Sequence, residues 1–202
     1  DLFTPQIWLG LTATPERMDG GSILPDFSNR IAAEIRLPES INLLLLCPFQ
    51  YFCITDNTID LSDISCPGGK YDINQLTDKL CDESRMSLII KSIQKYIVDE
   101  HNCKALCFCS KIEHAIYMKE GLCMAGFRAE YITSSDSTDK RKRVLKALKK
   151  GEINYLCVVD LYNEGVDIPE VDTVLFLRPT ESLTVFLQQL GRGLRIDAQK
   201  EV

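Results

Sequence analysis

The chain has 202 residues, enough for one well-buried domain and short for two complete ones. Its 45% hydrophobic and 26% charged content excludes a disordered polar segment. A net charge of −6 excludes a protein that coats nucleic acid through its overall field, so any phosphate contact has to be local.

Nine cysteines fall at irregular spacing, with no CxxC pair and only two histidines. Neither a zinc cluster nor a disulfide framework is suggested, no metal site is expected, and a reducing cytoplasmic setting fits best. Cys107 and Cys109 alternate in an apolar run, which puts both thiols on one strand face as small buried hydrophobes. No apolar run approaches the ~20 residues that span a bilayer, and no signal peptide is present, so no membrane partner is expected. Opening on Asp1 without an initiator Met, and already apolar by Ile7, the sequence reads as a piece of a longer protein.

In chain order, residues 7–11 read as a short buried strand and 12–21 as its exit loop, marked by Pro15, Gly20 and Gly21. Residues 31–37 and 43–55 are further strand candidates, and 56–71, with Pro67, Gly68 and Gly69, is a surface loop. Helices are then predicted at 74–80 and 84–99 and a strand at 105–109. After these come helix 112–125, strand 128–133, helix 139–150, strands 155–159 and 173–177, and helix 183–190. Strands spaced by helices imply right-handed crossovers: an α/β fold with a parallel sheet and helices on both faces. Ligands of such sheets gather at the carboxyl ends of the strands.

Four segments fall at strand ends or helix termini. In Gly10-Leu11-Thr12-Ala13-Thr14-Pro15, the Thr12 and Thr14 hydroxyls can bridge a phosphate site and a neighbouring lobe, since each both donates and accepts. Strand 105–109 runs into Ser110 and Lys111, and the next strand ends in Thr133, Ser134 and Ser135. Ser137, Thr138 or Asp139 would cap the following helix, whose residues Lys140, Arg141, Lys142, Arg143, Lys146, Lys149 and Lys150 are basic. Hydroxyls beside helix N-termini suit phosphodiester contacts that position a strand without reading its sequence. In Glu164-Gly165-Val166-Asp167-Ile168-Pro169, Gly165 permits close approach to a phosphate and Asp167 can accept from a ribose hydroxyl. In Gln188-Gln189-Leu190-Gly191-Arg192-Gly193-Leu194-Arg195, two arginines three apart would share a helix face and bridge a phosphate held by a neighbouring lobe. Taken singly, each has a plainer reading: a strand exit, a capped helix, a turn, a basic helix end.

In order, GLTATP, LCFCS, EGVDIP and QQLGRGLR resemble motifs III, IV, V and VI of superfamily 2 helicases, and IAAEIRLPESI and PFQYF resemble the restriction-subunit-like branch of the DEAD/DEAH type. The resemblance implies RecA-like lobes that clamp ATP and Mg²⁺ between them, with nucleic acid lying across both. It divides the chain into 1–40, the motif III tail of lobe 1 with the linker, and 41–202, lobe 2. By the same resemblance Arg192 and Arg195 act as arginine fingers with Gln188 nearby, and Glu164, Gly165 and Asp167 lie at the nucleotide. Ser110, Thr133 and Ser134 hold the nucleic-acid backbone, and Thr12 and Thr14 couple hydrolysis to lobe movement. DNA is favoured over RNA by the branch.

The phosphate-cradling G-x-x-x-x-G-K-[ST] is missing; Gly68-Gly69-Lys70-Tyr71 lacks both its spacing and its hydroxyl. Asp99-Glu100-His101 lies far downstream of Pro15, the wrong order for an acidic Mg²⁺ motif, so His101 reads as a helix-end residue and His114 as a helix-surface residue. The expectation is half of an ATP-driven motor, inactive as an ATPase without the N-terminal lobe and binding no cofactor tightly by itself. The alternatives are a helicase-like lobe serving only as a nucleic-acid or protein binding module, or another nucleotide-binding α/β enzyme.

Overall fold

A strand inside a parallel sheet needs ladder partners on both edges and apolar cover on both faces. A computed structural model describes residues 6–12, 21–159, 168–180, 182–198 and 200. Among them β1 (Ala105–Cys109), β2 (Ala129–Ile132), β3 (Tyr155–Val159) and β4 (Thr173–Phe176) form one parallel sheet in the order β2-β3-β1-β4. Ala105 lies opposite both Tyr155 and Thr173, and Ala129 lies opposite Tyr155, so the four carboxyl ends share one edge.

The helices are α1 (Leu37–Asn42), α2 (Ile73–Leu80), α3 (Glu83–Tyr96), α4 (Ile112–Met124), α5 (Thr138–Lys149) and α6 (Leu183–Gly193). Ala105, Cys107, Cys109, Tyr155 and Cys157 point to one face, where Met86 and Ile93 of α3 and Ala115, Met118 and Leu122 of α4 cover them. Leu106, Phe108, Leu156 and Val158 point to the other, against Val144 and Leu148 of α5. Phe186 of α6 reaches this second face through Phe176, which in turn stacks on Phe108. The topology accounts for the division. The step β1 to β2 passes over β3 in one direction and β2 to β3 returns, so right-handed crossovers put α4 and α5 on opposite faces.

The regular half of the chain follows its sequence pattern. β1 and β3 span the expected residues, and Ser137 is the residue that caps α5, accepting from the Lys140 N–H. Helix α3 ends at Tyr96 rather than at 99, because the chain reverses through a turn in which Asp99 accepts from both nitrogens of Asn102. Buried cysteines behave as expected. Burial holds the Cys109 thiol well above its ordinary pKa, and the hydrogen bond to Cys157 does the same for Cys107.

The first part of the chain does not follow its pattern. Residues 7–11 form no strand; Ile7, Trp8, Leu9 and Leu11 are exposed, the last at 91%. Residues 31–36 are irregular and 37–42 are α1, entered at Pro38 in its first turn. Residues 43–55 form no strand either, although Tyr51 sits edge-on against Phe186 and Phe52 stacks on Tyr96 at 4.6 Å. Apolar strand-forming residues need a ladder partner, and among the described residues these three segments have none.

Leu122 is fully buried against the thiol face of the sheet, whereas Met124 is 90% exposed. Leu122→Ala should cost about 2–5 kcal/mol in urea unfolding, and Met124→Ala less than about 0.5 kcal/mol; near-equal effects would contradict this packing.

Candidate functional site

The common edge of the sheet collects the strand exits. Ser110 follows β1, Thr133 follows β2 and Leu177 follows β4. The exit of β3 leads into 160–167, so Glu164, Gly165 and Asp167 lie outside the described residues, as does Thr14. Thr12 is described and exposed.

Ser110 looks inward. It is 3% exposed, and its hydroxyl lies 2.8 Å from Thr77 Oγ1 of α2 and 3.1 Å from His114 Nδ1 of α4. Its backbone N–H also donates to that nitrogen, at 3.2 Å. An accepting Nδ1 puts the imidazole proton on Nε2, which is buried with no hydrogen-bond partner. His114 is therefore not the helix-surface residue its sequence context suggests. Lys111, beside Ser110, reaches back to Asn74 Oδ1 at 2.7 Å, so two side-chain contacts hold α2 against the end of β1.

Beside this network lies Arg85 of α3, whose side chain is 9% exposed. Its Nε pairs with Asp56 at 2.9 Å, and one terminal nitrogen donates to Leu177 O at 2.9 Å, fixing the end of β4. Burial pushes the Asp56 carboxyl up, but hydrogen bonds from Thr58 and the Arg85 guanidinium outweigh it, and the carboxyl titrates below its ordinary value. Sequence reasoning missed Asp56, Thr77 and Arg85. Their partners lie 29 to 92 residues away, and no local pattern marks such pairs.

Thr133 is also buried and committed. Its N–H donates to Asp136 Oδ2 at 2.8 Å, and its hydroxyl lies 2.8 Å from Ser135 Oγ. Lys140 caps the same turn through Asp136 at 2.8 Å, and Arg141 donates to the carbonyls of Asp136 and Ser134. The Lys140 hydrogen bond holds the Asp136 carboxyl below its usual range. Of the strand-exit hydroxyls, that of Ser134 stands at the surface, as does Ser135. The basic run of α5 is thus partly paired: at the surface Lys149 pairs with Glu170 and Lys150 with Glu152, while Lys142, Arg143 and Lys146 face solvent.

The arginine segment lies elsewhere. Helix α6 runs back along β4: Phe186 near its start meets Phe176, and a Cβ on Gly193 at its end would come within 3.0 Å of Val174. The helix is about 15 Å long, so its last turn faces the amino ends of the strands, away from Ser110 and Thr133. Gln188 and Arg192 are half-buried on α6, but the helix ends at Gly193, and Arg195 follows the C-cap Leu194. Arg192 is thus on the last turn of α6 and Arg195 on its exit, after a C-cap that keeps right-handed helical dihedrals. Gly193 permits the close approach to β4, whereas a Cβ on Gly191 would meet open space. Among the described residues no group of three or more His, Cys, Asp or Glu could hold a metal ion, and no helix is long and apolar enough to cross a membrane.

Burial lowers the His114 pKa from 6.5 to about 3, helped by nearby Arg85. Between those values the unfolded chain binds a proton that the folded chain does not, so stability falls as pH drops through that window, by up to about 1.4 kcal/mol per pH unit. Urea unfolding at pH 7, 6 and 5 should show this slope, and His114→Gln should flatten it; an unchanged slope would remove His114 as its source.

The helicase conserved C-terminal domain family matches residues 88–197, from within α3 to beyond Arg195. A 51.5 kDa protein of a Lactococcus phage is 29% identical over 95% of this chain and 41% of its own length. The putative ATP-dependent helicase IRC3 of Saccharomyces cerevisiae is 25% identical over 96% of this chain and 28% of its own length. The chain therefore spans less than half of these curated relatives. Among solved structures, the C-terminal part of the Fun30 ATPase domain superposes with a TM-score of 0.52 over 62% of this chain and 41% of that one, at 15% identity, a likeness of fold. The sheet order, the helices on both faces and the matched family agree on a RecA-like α/β lobe. The chain belongs to the helicase conserved C-terminal domain family.

Proposed function

We propose that this chain is the second motor lobe of an ATP-dependent superfamily 2 helicase or translocase, with residues 1–40 as the tail of the first lobe and linker and 41–202 as lobe 2. The observation that carries this reading is the separation of two chemistries on one rigid lobe. Hydroxyls and helix starts gather at the carboxyl edge of the sheet, and the arginine turn lies about one helix length away. A lobe built this way can hold a nucleic-acid backbone at its carboxyl edge while its arginine turn meets the phosphates of a nucleotide.

In this reading Arg192 and Arg195 act on the terminal phosphate of ATP, with Gln188 beside them. Their guanidinium groups are planar and permanently charged, and so offset the charge that builds on the transferred phosphoryl group. ATP supplies the phosphoryl group, and Mg²⁺ is held by the partner lobe. Glu164, Gly165 and Asp167 contact the nucleotide, and Thr12 and Thr14 couple hydrolysis to lobe movement. Ser134 touches the nucleic-acid backbone directly, while Ser110 and Thr133, whose hydroxyls are committed internally, shape the edge that presents it. DNA is the favoured substrate, by the likeness of the sequence to the restriction-subunit-like branch.

The test uses full-length protein. Its ATPase should be stimulated by nucleic acid, with single-stranded DNA, duplex DNA and RNA compared at one salt concentration, and residues 1–202 alone should show no turnover. Arg195→Ala should lower turnover by about 10³-fold or more with ATP affinity little changed. Equal loss of binding and turnover would assign Arg195 to binding, and robust turnover by residues 1–202 would end the two-lobe reading.

A further inference from the structure

The turn that carries Arg195 is held from outside its own helix. A helix leaves its last carbonyls without intrahelical donors, and three successive ones here are served by two residues outside the helix, one just after it and one far before it. Lys200 Nζ donates to Gly193 O at 3.0 Å and to Arg195 O at 2.6 Å. The Cys47 N–H donates to Leu194 O at 2.8 Å, and its thiol donates to Arg195 O at 3.2 Å. Cys47 is 8% exposed and stands 148 residues before Arg195. Leu44, Leu46, Pro48 and Ile196 line the apolar groove beside these contacts.

The Arg195 carbonyl thus receives two donors, which fixes the peptide plane after Arg195 and with it the direction in which that side chain leaves the backbone. We infer that Cys47 and Lys200 are positioning residues for Arg195, forming a brace that aims its guanidinium and joins the arginine turn to the segment that follows α1. This inference rests on the proposed role of Arg195. Residues 43–48 lie next to the proposed boundary at 40, so a shift of the preceding lobe would reach the arginine turn through the Cys47 contacts.

The experiment is a double-mutant cycle on the nucleic-acid-stimulated ATPase of the full-length protein, with thermal unfolding as the check on folding. Lys200→Met keeps the apolar stem and removes both donations; Cys47→Ala removes the thiol donation alone. Each should lower kcat, by about 10-fold for Lys200→Met and about 3-fold for Cys47→Ala, with KM for ATP within about 2-fold of the parent. Cys47→Ser, which keeps a donor, should restore kcat. In an Arg195→Ala background, Lys200→Met should cost less than about 2-fold, because the brace has nothing left to aim. An undiminished kcat in both brace variants, or an undiminished cost of Lys200→Met in that background, overturns the inference. If Lys200→Met fails to fold, the Cys47→Ala and Cys47→Ser pair decides by the same kcat criterion. Full turnover by Arg195→Ala would instead overturn the proposed function, so the two failures are distinguishable.

Discussion

The domain depends on the burial of β1 from both sides at once. All five of its residues are at most 1% exposed, with β3 and β4 on its edges and helices over both its faces. A parallel strand in that position can carry no charge and tolerates few polar atoms, so its chemistry is pushed to its ends. Ser110, the first residue past β1, is where polarity begins. Its hydroxyl, the Thr77 hydroxyl and the His114 ring together satisfy a junction at which α2, α4 and the sheet meet. The cost of the unpartnered Nε2 is borne by packing around it.

The second consequence is a difference in how the two ends of the lobe are held. At the carboxyl edge Asp136 and Arg141 hold the turn around Thr133 from within it, and Arg85 of α3 holds Leu177 from 92 residues away. These hydrogen bonds satisfy the backbone groups of the strand exits, and Ser134 stands at the surface beside them. At the other end the carbonyls that end α6 take donors from the nearby Lys200 and from Cys47, 148 residues before Arg195. Both ends follow one rule: a backbone group left over by a helix or strand takes a donor or acceptor wherever the fold supplies one.

The open side of the sheet obeys the same economy. β4 is an edge strand with no ladder partner beyond it among the described residues. The segment carrying Tyr51 and Phe52 packs one ring on α6 and the other on α3. The rings of Tyr51, Phe186, Phe176 and Phe108 run in contact from that segment to the central strand.

The sequence by itself determined the regular half of the protein. Runs such as 105–109 and 155–159 are apolar throughout because both faces are buried, and helices such as α5 alternate a buried pair, Val144 and Leu148, with a basic face, so periodicity alone locates them. It determined the family as well, since the motif order survives in the chain whatever its folding, and the matched region begins within α3 and runs past Arg195. Tertiary structure decided what periodicity cannot carry. The apolar segments at 7–11 and 43–55 read as strands, but a strand exists only where a neighbour supplies the ladder. Ser110 and Thr133 read as hydroxyls that hold a nucleic-acid backbone, yet Thr77 of α2 engages the first inside the fold and the local turn through Ser135 and Asp136 engages the second. The spacing of Arg192 and Arg195 implied a shared turn, and the tertiary structure adds that α6 ends between them and that the Arg195 carbonyl takes donors from Cys47 and Lys200. The Thr133 turn apart, these outcomes depend on a contact between residues distant in sequence or on where an element stops, and local spacing encodes neither.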